Sequence, residues 1–156
     1  MTLQIEMLAA RPLFALRLVG PLEHTLSEGF TRLMAWAERH HLSGEWMAIY
    51  YDNPQQVAPE ALRVDVALAA APDVPLPADA DDAGVRRLTL AAGQYALAAV
   101  QVTQHDFATP WMALFAEQLP ASGYRPSGGP CFERYLNDGR LTGEWQLELG
   151  VPVVKG

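Results

Sequence analysis

At 156 residues, half of them hydrophobic, the chain is long enough for one domain with a real core or a compact pair of small modules. Its net charge of −7 argues against direct nucleic-acid binding, which needs cationic groups to displace counterions from phosphate. The same charge leaves neutral or cationic partners as the expected ones, and a single cysteine, Cys131, excludes an internal disulfide and fits a reducing, cytoplasmic setting.

The N-terminal pattern carries Glu6 and Arg11 among its apolar residues, so it does not read as a secretory leader. No stretch approaches the roughly 20 apolar residues of a membrane span. Residues 3–19 alternate as strands, with Leu3, Ile5 and Met7 and then Phe14, Leu16 and Leu18, and a bend at Arg11-Pro12. Gly20-Pro21 stops them. Thr25-Leu26-Ser27-Glu28 has the spacing of a capping box and predicts a helix over about 25–41, with Leu26, Phe30, Leu33, Met34 and Ala37 as its apolar stripe. Strands follow at 46–51 and 61–69. Residues 71–84, with three prolines and four aspartates, read as an exposed linker.

The same order then returns. Strands are predicted at 85–90 and 94–102. A helix opens at Thr109-Pro110, with Thr109 as its cap and Pro110 at the first position, and Trp111, Leu114, Phe115 and Leu119 as its stripe. Asn137-Asp138-Gly139 reads as a tight hairpin between a strand from Cys131 and a last strand over 144–153. The landmarks keep their spacing: Tyr50 to Tyr135, Asp52 to Asn137 and Phe30 to Phe115 are each 85 residues apart, and Asp65 to Glu148 is 83. The expected fold is α+β, with strand–helix–strand–strand modules at about 1–70 and 85–156, joined by the linker 71–84 in one domain. Pseudo-twofold symmetry and a central cleft follow from such a repeat.

Strand alternation then assigns faces. In the first module Asp65 lies opposite the apolar face, with Trp46 and Tyr50 expected on its side. In the second, Phe132, Leu136, Trp145, Leu147 and Leu149 are expected to face the core, leaving Glu133, Tyr135 and Glu148 together. A tyrosine with a carboxylate thus occurs twice, as Tyr50 with Asp65 and Tyr135 with Glu148. Two readings stay open: a solvated sheet face, or acids and aromatics lining a cleft for amphipathic or cationic small molecules. Metal and cofactor signatures are absent. Adjacent His40-His41 diverge by about 100° on a helix and chelate poorly, and the acidic run at Asp79 reads as solvated linker. Asp106 reads as a helix cap and Cys131 as a small buried residue.

Leu18-Val19-Gly20-Pro21, Tyr50-Tyr51-Asp52-Asn53-Pro54, Gly93-Gln94-Tyr95-Ala96, Asp106-Phe107-Ala108 with Pro110-Trp111, Cys131-Phe132-Glu133 with Tyr135-Leu136-Asn137, and Trp145 with Glu148 keep a specific order and spacing. As a set they resemble the GyrI-like family of bacterial DNA gyrase inhibitory proteins (SbmC). The resemblance implies the fold shared with the effector-binding domains of AraC-type and MerR-type regulators such as Rob and BmrR, which bind amphipathic drugs. It implies that Glu148 meets a cationic ligand, with Tyr50, Tyr135, Trp111 and Trp145 considered as aromatic walls and Asp65 and Glu133 as further acids. Trp145 fits least, its parity setting it opposite Glu148. Gly150 stands where relatives often carry a larger residue. DNA gyrase is implied as a protein partner. A non-enzymatic binder is the first expectation; hydrolysis of cyclopropanoid or other electrophilic toxins by the cleft glutamate is the alternative.

Overall fold

The computed structural model describes residues 2–156. In chain order the elements are β1 (Thr2–Leu8), β2 (Arg11–Val19), α1 (Leu22–Arg39), β3 (Trp46–Tyr50), β4 (Arg63–Ala69), α2 (Ala80–Ala83), β5 (Val85–Leu90) and β6 (Gly93–Thr103). Then follow α3 (Ala108–Ala113), a π-helical turn (Leu114–Gln118), α4 (Leu119–Ser122), β7 (Tyr124–Pro126), β8 (Cys131–Tyr135) and β9 (Glu144–Lys155). The fold is mixed α+β with antiparallel pairing throughout, as expected.

The described chain packs as two units, residues 10–91 and residues 2–9 with 92–156. The first unit has the strand order β3-β4-β2-β5 and the second β8-β9-β6-β1, with β7 added along the end of β9. The orders correspond position by position, so the repeat is present in both. The packing is offset from the sequence repeat by one strand: β1 pairs with β6, and β5, which opens the second half of the sequence, pairs with β2.

α1 begins three residues before the predicted capping box. The Pro21 carbonyl accepts the amides of His24 and Thr25, both at 3.0 Å, and Thr25 is buried with its hydroxyl unbonded instead of serving as the cap. The buried stripe is Thr25, Gly29, Leu33, Trp36 and Ala37, turned about one residue from the expected one. Gly29 is the reason: a Cβ there would stand 2.6 Å from Leu18 Cδ1 and 3.0 Å from both Val66 methyls, so only glycine lets the helix lie this close to β2 and β4.

In the second helical segment the Asp106 carboxylate accepts the Thr109 amide at 3.1 Å and its hydroxyl at 2.6 Å, so the aspartate is the cap and Thr109 lies inside. Pro120 supplies no amide and its ring crowds the carbonyl four residues back, which accounts for the wide π turn before α4. Residues 71–84 are more tied down than a solvated linker. Ala80 is buried, and Asp79 accepts the Trp36 indole N–H at 3.1 Å and lies 2.9 Å from His40 Nε2.

Candidate functional site

Each unit places a carboxylate on an inner strand, β4 and β9. Residues paired directly across an antiparallel ladder project on the same face. In the first unit Val64, Val66 and Leu68 pair with Leu18, Leu16 and Phe14 and with Tyr50, Ala48 and Trp46. This is the face α1 covers: Trp36 packs edge-on to Phe14 at 5.9 Å between centroids and Phe30 packs on Trp46 at 6.4 Å. Asp65 pairs with Arg17 and Ile49 and projects on the other face.

Asp65 is 0 % exposed. Its carboxylate accepts Arg17 Nε at 2.6 Å and Nη2 at 3.3 Å, Arg86 Nη2 at 2.7 Å and Nη1 at 3.4 Å, and the Tyr51 hydroxyl at 2.6 Å. Burial pushes its pKa up, but the hydrogen bonds from Arg17, Arg86 and Tyr51 prevail and hold it below the usual aspartate range. Tyr51 shifts the other way: burial and the neighbouring Asp65 raise its phenol. Arg17 lies over the Tyr51 ring at 4.3 Å. The tyrosine that meets Asp65 is therefore Tyr51. Tyr50, expected there, sits on the α1-covered face.

In the second unit the ladder sets Phe132 opposite Gly150, Glu133 opposite Leu149, Arg134 opposite Glu148 and Tyr135 opposite Leu147. The odd-numbered residues join the core under α3 and α4, which contains Leu114, Leu119, Leu147, Leu149 and Val151. Glu133 is there too, 1 % exposed, accepting the Trp111 indole N–H at 2.8 Å and the Tyr135 hydroxyl at 2.7 Å. Tyr135 and Trp145 pack edge-on at 5.7 Å, and Phe107 lies 6.1 Å from Trp145. Four of the expected residues thus come together, as a buried carboxylate, Glu133, ringed by the part-buried Trp111, Tyr135 and Trp145.

Glu148 is on the opposite face, with a side chain 22 % exposed. Arg134 Nε and Nη2 lie 3.1 Å and 3.0 Å from its Oε1, and Oε2 takes neither of these contacts. The expected grouping of Glu148 with Glu133 and Tyr135 is corrected by the ladder. A two-residue turn at Asp138-Gly139 would pair even with odd residues, whereas the observed ladder pairs like with like, and a one-residue slip moves every side chain to the other face. The connection spans residues 136–143. Asn137 carries the ladder into it by accepting the Gln146 amide at 2.8 Å and donating to the Glu144 carbonyl at 3.1 Å.

On the Glu148 face the ladder also sets Phe132, Gly150, Leu97 and Tyr95. The Phe132 and Tyr95 rings lie 5.7 Å apart, and Phe132 fills the space over Gly150, where a Cβ would be 2.2 Å from the ring. Sequence reasoning missed Arg134, Phe132 and Tyr95 here, and Arg17, Arg86 and Tyr51 beside Asp65. The like-with-like register would have found the first two. Cys131 is part-buried, and burial pushes its thiol up to about 11, away from the thiolate form. No helix among the described residues is long and apolar enough to cross a membrane.

Comparison with known proteins bears on this geometry. The chain is 65 % identical over 155 residues to a DNA gyrase inhibitor of Edwardsiella piscicida, covering 99 % of each. It superposes on the C-terminal domain of EcmrR with a TM-score of 0.76 at 12 % identity, covering 99 % of this chain and 98 % of that one. A protein solved with tetraphenylphosphonium bound matches with a TM-score of 0.65 at 15 % identity, covering 99 % of this chain and 94 % of that one. These two likenesses concern the fold. Residues 1–154 match the model of the GyrI-like small-molecule-binding domain, and the chain therefore belongs to the GyrI-like family.

Proposed function

We propose that this protein binds amphipathic, cationic small molecules, and that Glu148 supplies the charge that meets the cation. The observation that carries this reading is the setting of Glu148. It is a part-exposed carboxylate on the sheet face away from α3 and α4, sharing that face with Phe132 and Tyr95. Both rings are buried, so a ligand reaches them only by parting the packing that covers them; a carboxylate backed by aromatic rings then suits a lipophilic cation, because apolar burial contributes about 25 cal/mol per Å² and a cation over a ring gains about 0.5–2 kcal/mol. Arg134 holds the carboxylate in place through Oε1, so the incoming cation would meet Oε2. Trp111, Tyr135 and Trp145 serve this reading as the packed support beneath β8 and β9 instead of as ligand walls, and Glu133 anchors them.

Tetraphenylphosphonium, present in a structure of the same fold, is a suitable probe. Titration followed by tryptophan fluorescence is expected to saturate for the wild type and to weaken at least about tenfold for Glu148→Gln, roughly the 1.4 kcal/mol of a lost charge contact. Equal affinity in the two proteins would refute the role of Glu148, and no saturable change in the wild type would refute the ligand class.

We further infer that DNA gyrase is its protein partner, on the strength of the 65 % identical relative bearing the name DNA gyrase inhibitor. The purified protein is expected to reduce supercoiling by gyrase in a dose-dependent way. Undiminished supercoiling together with no co-purification of gyrase would remove this reading.

A further inference from the structure

The two carboxylates on corresponding strands are not neutralised alike. Glu148 meets one guanidinium, that of Arg134. Asp65 meets two, Arg17 at 2.6 Å and Arg86 at 2.7 Å, while the neighbouring Arg63 is matched separately by Asp52 at 2.7 Å. The Asp65 cluster therefore carries one uncompensated positive charge, in a chain whose net charge is −7. One arginine would have sufficed to neutralise a buried aspartate.

We propose that Arg17 and Arg86, locked together on Asp65, form a binding site for the carboxylate or phosphate group of a small molecule. The hydrogen-bond inventory supports this. Five contacts reach the two Asp65 oxygens, which offer about four lone-pair directions, so the carboxylate is saturated. Each guanidinium has five N–H groups in a rigid fork and spends two nitrogens on Asp65. Arg17 Nη1 and Arg86 Nε lie outside these contacts with Asp65, and Arg17 also hydrogen-bonds the Tyr51 hydroxyl. The arginine side chains are 34 % and 40 % exposed, so these remaining donors can be reached from solvent.

The site is also preorganised. Asp65 is fully buried on β4, and the Arg17 guanidinium is stacked on the Tyr51 ring. Holding both forks in place before the anion arrives removes much of the side-chain ordering that binding would otherwise cost. An oxyanion on the outer edges of the two guanidiniums is closer to two positive charges than to the buried negative one, so attraction wins. Planar or tetrahedral oxyanions accept two parallel N–H bonds from such an edge, which a halide cannot. The inference concerns the first unit and does not depend on the role given to Glu148.

The test is a titration of the full-length protein with inorganic phosphate, and separately with benzoate, at fixed ionic strength, reading the arginine Nε–H resonances by NMR. Saturable shifts of Arg17 and Arg86 are expected with at least one of the two anions; the anion that saturates identifies the preferred group. Arg86→Gln should weaken binding at least about tenfold, while Arg87→Gln should not, because Arg87 lies over Phe14 and bonds the Val74 carbonyl. Glu148→Gln should leave anion affinity unchanged. Absence of saturable shifts in the wild type, or equal affinity in Arg86→Gln and wild type, would overturn the proposal.

Discussion

Asp65 shows how much one residue can be asked to hold. Fully buried, it is stable as an anion only because Arg17, Arg86 and Tyr51 all donate to it. Asp65→Asn keeps the shape but leaves two guanidiniums without their counter-charge. Removing one partner of a buried ion pair costs about 3–5 kcal/mol, and urea denaturation should report a loss in that range. The pH dependence follows from the lowered pKa. A depressed folded value means the stabilisation is fully present above the ordinary aspartate value of 3.8 and is lost as pH falls from there through the lower folded value. Urea midpoints measured from about pH 5 down to about pH 2.5 should therefore fall more steeply for the wild type than for Asp65→Asn. Parallel curves would show that Asp65 does not carry this linkage. That a carboxylate mattered at this position was legible, since Asp65 interrupts an apolar run. Its partners were not, because Arg17 and Arg86 come from strands 48 and 21 residues away in sequence.

At the scale of elements, the last two strands carry the register on which the site depends. Phe132 can lie over Gly150 only because position 150 has no Cβ. Gly150→Ala should overpack this face and destabilise the protein by about 1–3 kcal/mol. Most of that loss should disappear in a Phe132→Ala background, a coupling measurable by a double-mutant cycle in urea. Independent, additive losses would show that the two positions do not share the space. The strands other than the short β7, both long helical segments and the Asp106 cap were readable from periodicity and capping chemistry. The faces were not. Alternation reveals a face when one side is wet, yet Met47, Ala48 and Ile49 are all buried, as are Val64 through Leu68 and both Phe132 and Glu133. With both sides dry, hydrophobicity carries no parity, and the turn residues Asn137-Asp138-Gly139 suggested a register of opposite parity, pairing Tyr135 with Thr142 instead of Leu147. The buried Glu133, held by Trp111 and Tyr135, is the residue this most misled.

At the scale of the whole molecule, the repeat was visible as a constant spacing of landmarks and reappears as matching strand orders, β3-β4-β2-β5 and β8-β9-β6-β1. What spacing could not convey is that β1 and β5 each pair within the unit formed mainly by the other half of the sequence. The repeat has also diverged in charge: Asp65 is saturated by two arginines, whereas Glu148 keeps one oxygen outside its contacts with Arg134. That difference is the ground on which Glu148, not Asp65, is proposed to recognise the cation, and the proposal predicts opposite effects from removing Arg134 and removing Glu148. Arg134 leaves Oε2 open but sets a positive charge beside it that repels an incoming cation, so removing Arg134 should help the ligand, whereas removing Glu148 should harm it. The decisive measurement is calorimetric titration of a lipophilic monocation into wild type, Arg134→Gln and Glu148→Gln under one buffer. The expected order of affinity is Arg134→Gln tightest, wild type next and Glu148→Gln weakest, by at least about tenfold below wild type; a Glu148→Gln protein that binds as tightly as wild type would contradict the account.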